Sequence, residues 1–242
     1  MKNKMTTLTV IVPVYNEENT LQESYNRLNG IDDIVTQIII VDDCSSDSSL
    51  KIINDIKEQN TKVTVLKNSK NLGKGAALMN AQDYITTDFV VIHDADLEYF
   101  PKDLKTMYEL ITKNNVDLVI GSRFIKSNKE MVYFRTYYAN KFLSKVFSLI
   151  YRQNVTDIAT CYKMMNSSYF KNIQLKERGF SIEVELLAKY FNTNNKFLES
   201  SIDYSGRTYD EGKKIKIIDG FKYLWAMLKY KRFLFQSSNS SF

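Results

Sequence analysis

The chain is poor in the residues that most often announce a chemistry. Its 242 residues hold two cysteines, Cys44 and Cys161, far apart and without a metal-ligand spacing. No disulfide framework follows, and a reducing compartment is the default. The single histidine, His93, limits imidazole-based metal sites and Ser-His-Asp hydrolysis to one residue. No apolar run approaches the ~20 residues of a membrane-crossing helix. Residues Met1 to Thr7 carry two lysines, but the apolar stretch behind them is short and contains Pro13, one of two prolines. It reads as a first strand, not a secretory leader. The net charge of +5 is modest, and no nucleic-acid partner is expected. With 44% hydrophobic and 25% charged residues, the composition is that of an ordinary globular chain with room for one large domain.

The stretch from Phe89 to Glu98 organises the rest. Phe89-Val90-Val91-Ile92 has the continuous apolar character of a strand buried on both faces. It runs into His93-Asp94-Ala95-Asp96-Leu97-Glu98. On an extended chain Asp94 and Asp96 would point the same way, and two crowded carboxylates repel unless a cation lies between them. Oxygen-only ligation of this kind suits Mg²⁺ or Mn²⁺ bound together with substrate phosphates. The alternative is a polar strand-to-loop exit, since Asp is common in turns. His93 alternates away from Asp94 and is expected to be a packed, hydrogen-bonded side chain.

Strands and helices alternate on either side of this stretch. Leu8–Val12 is a strand, and Asn19 a candidate cap for a helix from about Thr20 to Leu28. Gln37–Val41 is a strand ending in Asp42-Asp43, and Ser46 or Asp47 is placed to cap a helix from Ser48 to about Gln59. Val63–Leu66 follows, then the turn Asn71-Leu72-Gly73-Lys74-Gly75 leading into Ala76–Met79. Pro101 fits the first turn of a helix through Ile111, and Asp117–Gly121 is a fifth strand. The expected layout is an open, mostly parallel α/β sheet with helices on both faces, its ligands beyond the carboxyl ends of the strands.

The second half is less regular. Met131–Arg152 is aromatic and apolar at helical spacing, with Phe142, Val146, Phe147 and Ile150 as a stripe expected to be core. Asp157–Met165 reads as a loop entering a strand, Glu183–Phe191 as a helix and Lys196–Tyr204 as a strand. A polar loop, Gly206–Lys214, precedes a helix from Ile217 to about Phe235 with Phe221, Leu224, Trp225 and Leu228 on one face and Lys222, Lys229, Lys231 and Arg232 at its edges and end.

Val10–Glu17, Ile39–Asp47, Asn71–Gly75, Asp94-Ala95-Asp96, Gly121-Ser122-Arg123-Phe124, Asp157–Lys163 and Gly206–Ile215 together resemble the family-two glycosyltransferases of GT-A fold. The pattern looks most like the dolichol-phosphate mannosyltransferase branch and its bacterial polyprenyl-phosphate relatives. It covers roughly residues 7 to 230. The glycine-rich piece lacks the spacing of a dinucleotide fingerprint.

The resemblance implies a Rossmann-like GT-A sheet with C-terminal helical and loop elements. It implies one domain over residues 1–236, with a nucleotide-binding half of about 7–123, an acceptor-side half of about 124–236 and a tail over 237–242. The implied activity is metal-dependent, inverting transfer of a hexosyl group from a GDP- or UDP-sugar, with polyprenyl phosphate as the acceptor. Pro13, Tyr15 and Glu17 would line the nucleoside pocket, and Asp43, alone or with Asp42, would hold the base or ribose edge. Asp94 and Ala95 would sit against the ribose and diphosphate, with Lys74 on the nucleotide side. Asp96 would ligate Mg²⁺ or Mn²⁺ directly, with Asp94 and Glu98 completing the protein's metal set. Glu98 stands where the family often has Gln.

Arg123 would grip phosphate oxygens through its planar fork. Arg135, Arg207, Lys213 and Lys214 form a second cationic set for diphosphate or acceptor phosphate, the last three on a loop that would close over substrate, or else a solvated basic loop. Asp157 is the candidate base should the acceptor be a hydroxyl, with a loop-capping carboxylate as the alternative. Transfer to a soluble or cell-surface glycan, and a non-catalytic nucleotide-binding module, are the competing readings. The expected location is cytoplasmic and peripheral on the inner face of the membrane. The Trp225 face of the last helix would either pack on its own domain or rest on anionic lipid.

Overall fold

In the computed structural model the described residues are 6–31, 33–125, 134–194, 196–206 and 217–237, with side chains described for all of these but 134–136, 217–219 and 232–237. The first half alternates strand and helix. β1 (Leu8–Val14), α1 (Leu21–Asn29), β2 (Val35–Asp42), α2 (Ser49–Gln59), β3 (Val63–Lys67), α3 (Lys74–Ala81), β4 (Phe89–Ile92), α4 (Asp103–Asn114) and β5 (Leu118–Ser122) follow in order. The strands are Val- and Ile-rich and almost wholly buried, as a sheet covered on both faces requires. The helices bury one stripe each. In α1 it is Leu21, Ser24, Tyr25 and Leu28, and in α4 Leu104, Met107 and Ile111.

The second half adds α5 (Phe134–Tyr151), β6 (Lys163–Asn166), α6 (Ser167–Asn172), α7 (Ile182–Thr193), β7 (Phe197–Ser201) and α8 (Ile217–Ser237). The seven strands lie in the order β3-β2-β1-β4-β6-β5-β7. Among the described strands only β6 is antiparallel, wedged between β4 and β5. The sheet is therefore mostly parallel. One connected core runs from Leu8 to Tyr230, through both halves of the chain.

Two features of this sheet make the site. The winding reverses between β1 and β4, so a crevice opens beyond their carboxyl ends. In addition β4 stops early. Its last residue, Ile92, sits beside Ile11, while β1 continues to Val14 beside Asp42. The acidic run after β4 consequently lies in a turn beside the last residues of β1, which extend past their pairing with β4.

Several expectations need correction. The first helix starts at Leu21 with Thr20, not Asn19, at its N-cap. Pro101 precedes α4, its carbonyl accepting the Leu104 amide at 2.9 Å. The stripe on α5 holds at Phe147, which is buried, and at Val146 and Ile150, which pack half-buried on the core, but Phe142 is exposed and Leu143 is buried in its place. Likewise α8 buries Tyr223, Ala226, Met227 and Tyr230, and leaves Phe221, Trp225 and Leu228 outside. Spacing identifies an apolar stripe, but both flanks of these helices are aromatic, so only packing selects the inner one. Lys196–Tyr204 is a shorter strand, Phe197–Ser201, with Tyr204 in a separate bridge to Tyr99.

Candidate active site

The loops after β1 and β2 are fastened to each other by side chains. Asn16 Oδ1 accepts the Ser46 amide at 2.8 Å, Ser49 Oγ accepts the Glu17 amide at 2.8 Å, and Asp47 Oδ2 accepts the Glu18 amide at 3.1 Å. Asp47 also takes the Ser49 amide through Oδ1, so it and not Ser46 serves the start of α2. Asn16, Cys44 and Leu97 all have positive φ, and all three lie in loops at the carboxyl ends of β1, β2 and β4. For a bulky residue such as Leu97, at φ 65°, this is a strained conformation. It turns the chain between Asp96 and Glu98.

Asp43 is almost wholly buried and fixes the glycine turn ahead of α3. Its carboxylate accepts from Asn68 Nδ2 at 2.7 Å, from the Leu72 amide at 3.0 Å and from the Gly73 amide at 2.7 Å. The turn needs glycine for two reasons. Gly73 has φ 90°, and a Cβ on Gly75 would lie 1.9 Å from the Glu177 carbonyl oxygen. Lys74, between them, reaches Asp94 at 2.7 Å. Burial works against both charges. The Lys74 ammonium nevertheless holds the Asp94 carboxyl below its usual range, and the Asp94 charge lifts Lys74 well above its own.

The acidic run is not a strand end with parallel carboxylates. Asp94 is taken by Lys74, while Asp96 Oδ1 accepts the Glu98 amide at 3.2 Å. Tyr204 donates its hydroxyl to Glu98 Oε2 at 2.8 Å, and the Ser205 amide donates to the Glu98 carbonyl at 2.9 Å. His93 is buried as expected, with Nδ1 2.9 Å from the Tyr162 hydroxyl and Nε2 3.0 Å from Ser24 Oγ. Its burial pushes it down to about 4.

Arg123 follows β5 and is itself buried. Its Nε and Nη2 donate to the two oxygens of Asp157 at 2.7 and 2.8 Å, and its amide donates to the same carboxylate at 3.1 Å. The guanidinium carbon lies 4.9 Å from the Tyr204 ring centroid. Asp157 is fully buried, and both of its oxygens accept from Arg123.

Pro13, Tyr15, Glu17, Asp43, Lys74, Asp94, Ala95, Asp96, Glu98 and Arg123 all line one cleft of about 280 Å³. Asp42 is buried and outside it, and Asp157 stands behind Arg123. Arg135 falls on α5 with its side chain outside the described residues, and Arg207, Lys213 and Lys214 lie outside them altogether. The segment before residue 207 nevertheless leaves from the cleft wall at Tyr204. Sequence reasoning missed Tyr99, Cys161, Phe180, Glu183, Tyr204 and Tyr223, which also face the cleft. For Glu183 a signal existed: two carboxylates, Glu183 and Glu185, interleaved with apolar residues in the first turn of a helix.

Among the described residues no three His, Cys, Asp or Glu side chains converge as a ready metal cluster. Asp96 and Glu98 supply hard oxygen donors of the kind that hold Mg²⁺ or Mn²⁺ when substrate phosphates complete the shell, so the residues fit such an ion.

A mostly parallel sheet with this crevice is the GT-A glycosyltransferase fold. Glucosyl-3-phosphoglycerate synthase from Mycobacterium tuberculosis, solved with Mn²⁺, UDP and phosphoglyceric acid, superposes with a TM-score of 0.69 at 17% identity, over 93% of this chain and 78% of that one. The same enzyme solved with Mg²⁺ and UDP gives a TM-score of 0.64 at 18% identity, over 93% and 79%. The chain belongs to glycosyl transferase family 2, whose family model matches residues 9–174. It is 27% identical over 235 residues to a dolichol-phosphate mannosyltransferase of Pyrococcus furiosus, covering 93% of this chain and 64% of that protein. It is 25% identical over 214 residues to an undecaprenyl-phosphate 4-deoxy-4-formamido-L-arabinose transferase of Enterobacter, covering 85% and 62%. The chain thus spans less than two thirds of the length of these curated relatives.

Proposed function

We propose that the protein transfers a sugar from a nucleoside-diphosphate donor to a polyprenyl phosphate, with inversion at the anomeric carbon. The observation that carries this reading is the convergence of Tyr15, Glu17, the Asp43-bound glycine turn, Asp94, Asp96, Glu98 and Arg123 on one crevice. Pro13, Tyr15 and Glu17 form the nucleoside side. Asp43 acts there through the turn it holds. Asp96 and Glu98 would hold Mg²⁺ or Mn²⁺, which supplies charge neutralisation for the departing diphosphate. Arg123 presents its guanidinium beside them, already oriented by Asp157. An acceptor phosphate oxygen attacks the anomeric carbon as the bond to the diphosphate breaks, and the nucleoside diphosphate leaves. The half before about residue 124 serves the donor and the half after it the acceptor. Arg207, Lys213 and Lys214 would close over phosphate from a segment that starts at the cleft wall, with Arg135 on the acceptor side.

Asp157 bears on the acceptor. A hydroxyl needs a base, whereas a phosphate is anionic near neutral pH and does not. With Asp157 bound on both oxygens by Arg123, the site favours the phosphate. The outer surface supports the same reading. Among the described side chains of α5 and α8, Lys141, Lys145 and Lys222 are exposed, while Lys229 is tied to Glu177 at 2.6 Å. The two helices expose Tyr138, Phe142 and Leu149 on the first and Phe221, Trp225 and Leu228 on the second. The helices touch where the Tyr151 hydroxyl donates to the Met227 carbonyl. Such a face suits peripheral binding to anionic lipid at the inner surface of the membrane, each basic residue contributing about 1 kcal/mol. Among the described residues no helix is long and apolar enough to cross a membrane.

A thermal-shift panel of UDP- and GDP-sugars with Mn²⁺ identifies the donor, because a ligand at a hundred times its Kd stabilises by about 2.7 kcal/mol. Transfer is then assayed to polyprenyl phosphate in anionic vesicles and to water-soluble hydroxyl acceptors. The expected result is salt-sensitive vesicle binding, weakened by charge reversal at Lys141, Lys145 and Lys222, with transfer to the lipid phosphate. Transfer to soluble hydroxyls without vesicle binding would overturn the acceptor assignment.

A further inference from the structure

A chain of four alternating charges runs from the cleft into the core. Asp94 meets Lys74 Nζ at 2.7 and 2.9 Å through its two oxygens, and Lys74 meets Glu183 Oε1 at 2.8 Å. Glu183 Oε2 then meets Lys163 Nζ at 2.5 Å, and Lys163 also donates to the Thr160 carbonyl. Lys163 and Glu183 are buried to within 3% of completely. Burying such a pair is expensive, and well-packed apolar residues in its place are often as stable or more so. Stability therefore does not explain the pair.

Its geometry does. Glu183 lies in the first turn of α7 and turns one oxygen inward to Lys163 and the other outward to Lys74. Lys74 is the first residue of α3, where the helix dipole disfavours a cation. It is held there by carboxylates from two other elements. The segment leading into α7 grips the same turn by its backbone, the Gly75 amide donating to the Arg178 carbonyl at 2.6 Å. That segment is in turn fixed by Glu185, which is fully buried and accepts the Lys176 and Glu177 amides.

We propose that Glu183, backed by Lys163, is a positioning residue: it fixes Lys74 on Asp94, so that Asp94 is committed to an ammonium and is withheld from the cation of a metal–diphosphate donor. Lys163 meets the inner oxygen of Glu183, so the carboxylate bridges two ammonium groups and its outer oxygen stays on Lys74. This rests on the donor reading above. It adds that the division of labour between the two aspartates is set from outside the motif.

The test measures Mn²⁺ alone by electron paramagnetic resonance, and UDP and GDP by calorimetry with and without Mn²⁺. It compares wild type, Glu183→Asp and the double variant Lys163→Met/Glu183→Leu. The double variant replaces the buried pair with apolar groups. Glu183→Asp draws the carboxylate back by about 1.5 Å, one C–C bond, too far to bridge both ammonium groups. With Lys74 held by Asp94 alone, the incoming diphosphate can draw the ammonium off, and Asp94 then competes for the cation. The gain in nucleotide affinity on adding Mn²⁺ should then fall about tenfold in folded protein, a change of about 1.4 kcal/mol. A purely structural pair would move the melting temperature and leave that gain alone. Should the double variant fail to fold, Glu183→Asp decides. An unchanged gain in either folded variant overturns the assignment while the donor reading stands. Wild-type protein that binds neither nucleotide with Mn²⁺ overturns both.

Discussion

Removing the Asp157 carboxylate separates two roles that a buried acid beside a sugar site can have. In Asp157→Ala, Arg123 loses both fork partners and the acceptor for its amide, while its guanidinium stays enclosed beside Tyr204. Stripping one partner from a buried ion pair costs about 3–5 kcal/mol. At about 2–4 °C per kcal/mol for a chain of this size, the melting temperature should fall by about 6–20 °C. Replacing both members, as Arg123→Met/Asp157→Leu, should recover most of that loss, because no unpaired charge remains. Both variants should lose turnover, the first through a disoriented guanidinium and the second through its absence. Calorimetric melts and steady-state transfer on the same preparations decide the matter. Suppose Asp157→Ala melts within about 2 °C of wild type, less than about 1 kcal/mol, and its pH–rate profile loses the limb that reports a base. Asp157 would then be the proton acceptor, and its role as the group that orients Arg123 would be wrong.

Asp96→Ala should abolish Mn²⁺-dependent nucleotide binding with an unchanged melting temperature, and full turnover in excess chelator would refute the metal assignment. Arg123→Lys keeps the charge but not the fork, so turnover should fall by at least about tenfold, measured at saturating donor. Gly75→Ala puts a methyl group 1.9 Å from the Glu177 carbonyl oxygen, so donor affinity and melting temperature should both drop; wild-type values would show that the turn relaxes without consequence. His93 has a folded pKa of about 4 against 6.5 in the open chain, so the unfolded state binds the extra proton between these values. Its contribution to stability is complete above pH 6.5 and is lost as pH falls towards 4, about 3 kcal/mol in all. Because it is the only histidine, its imidazole resonances report this directly, and a midpoint near 6.5 in folded protein would refute the burial account.

Apart from Arg123, which only the family resemblance placed at the site, the sequence by itself determined the alternation of strands and helices from Leu8 to Ser122, the parallel character of the sheet, and the convergence of Tyr15, Asp43, Asp94 and Asp96. These follow from local signals. Fully apolar four- to eight-residue runs demand burial on both faces, and polar residues just past them must stand at the strand ends, where the winding gathers them. What the tertiary structure decided was pairing and choice of face. Nothing local tells Lys163–Asn166 to run antiparallel between β4 and β5. Nor does helical periodicity say that Tyr223 and Met227 turn inward and Trp225 outward, since both flanks of α8 are apolar. The partners of the charged residues were equally hidden. Asp94 meets Lys74, Asp157 meets Arg123, and Glu183 meets Lys163 across 20 to 34 positions of sequence. A buried charge takes whichever opposite charge the packed chain brings within hydrogen-bonding reach, and that distance exists only once the sheet is assembled.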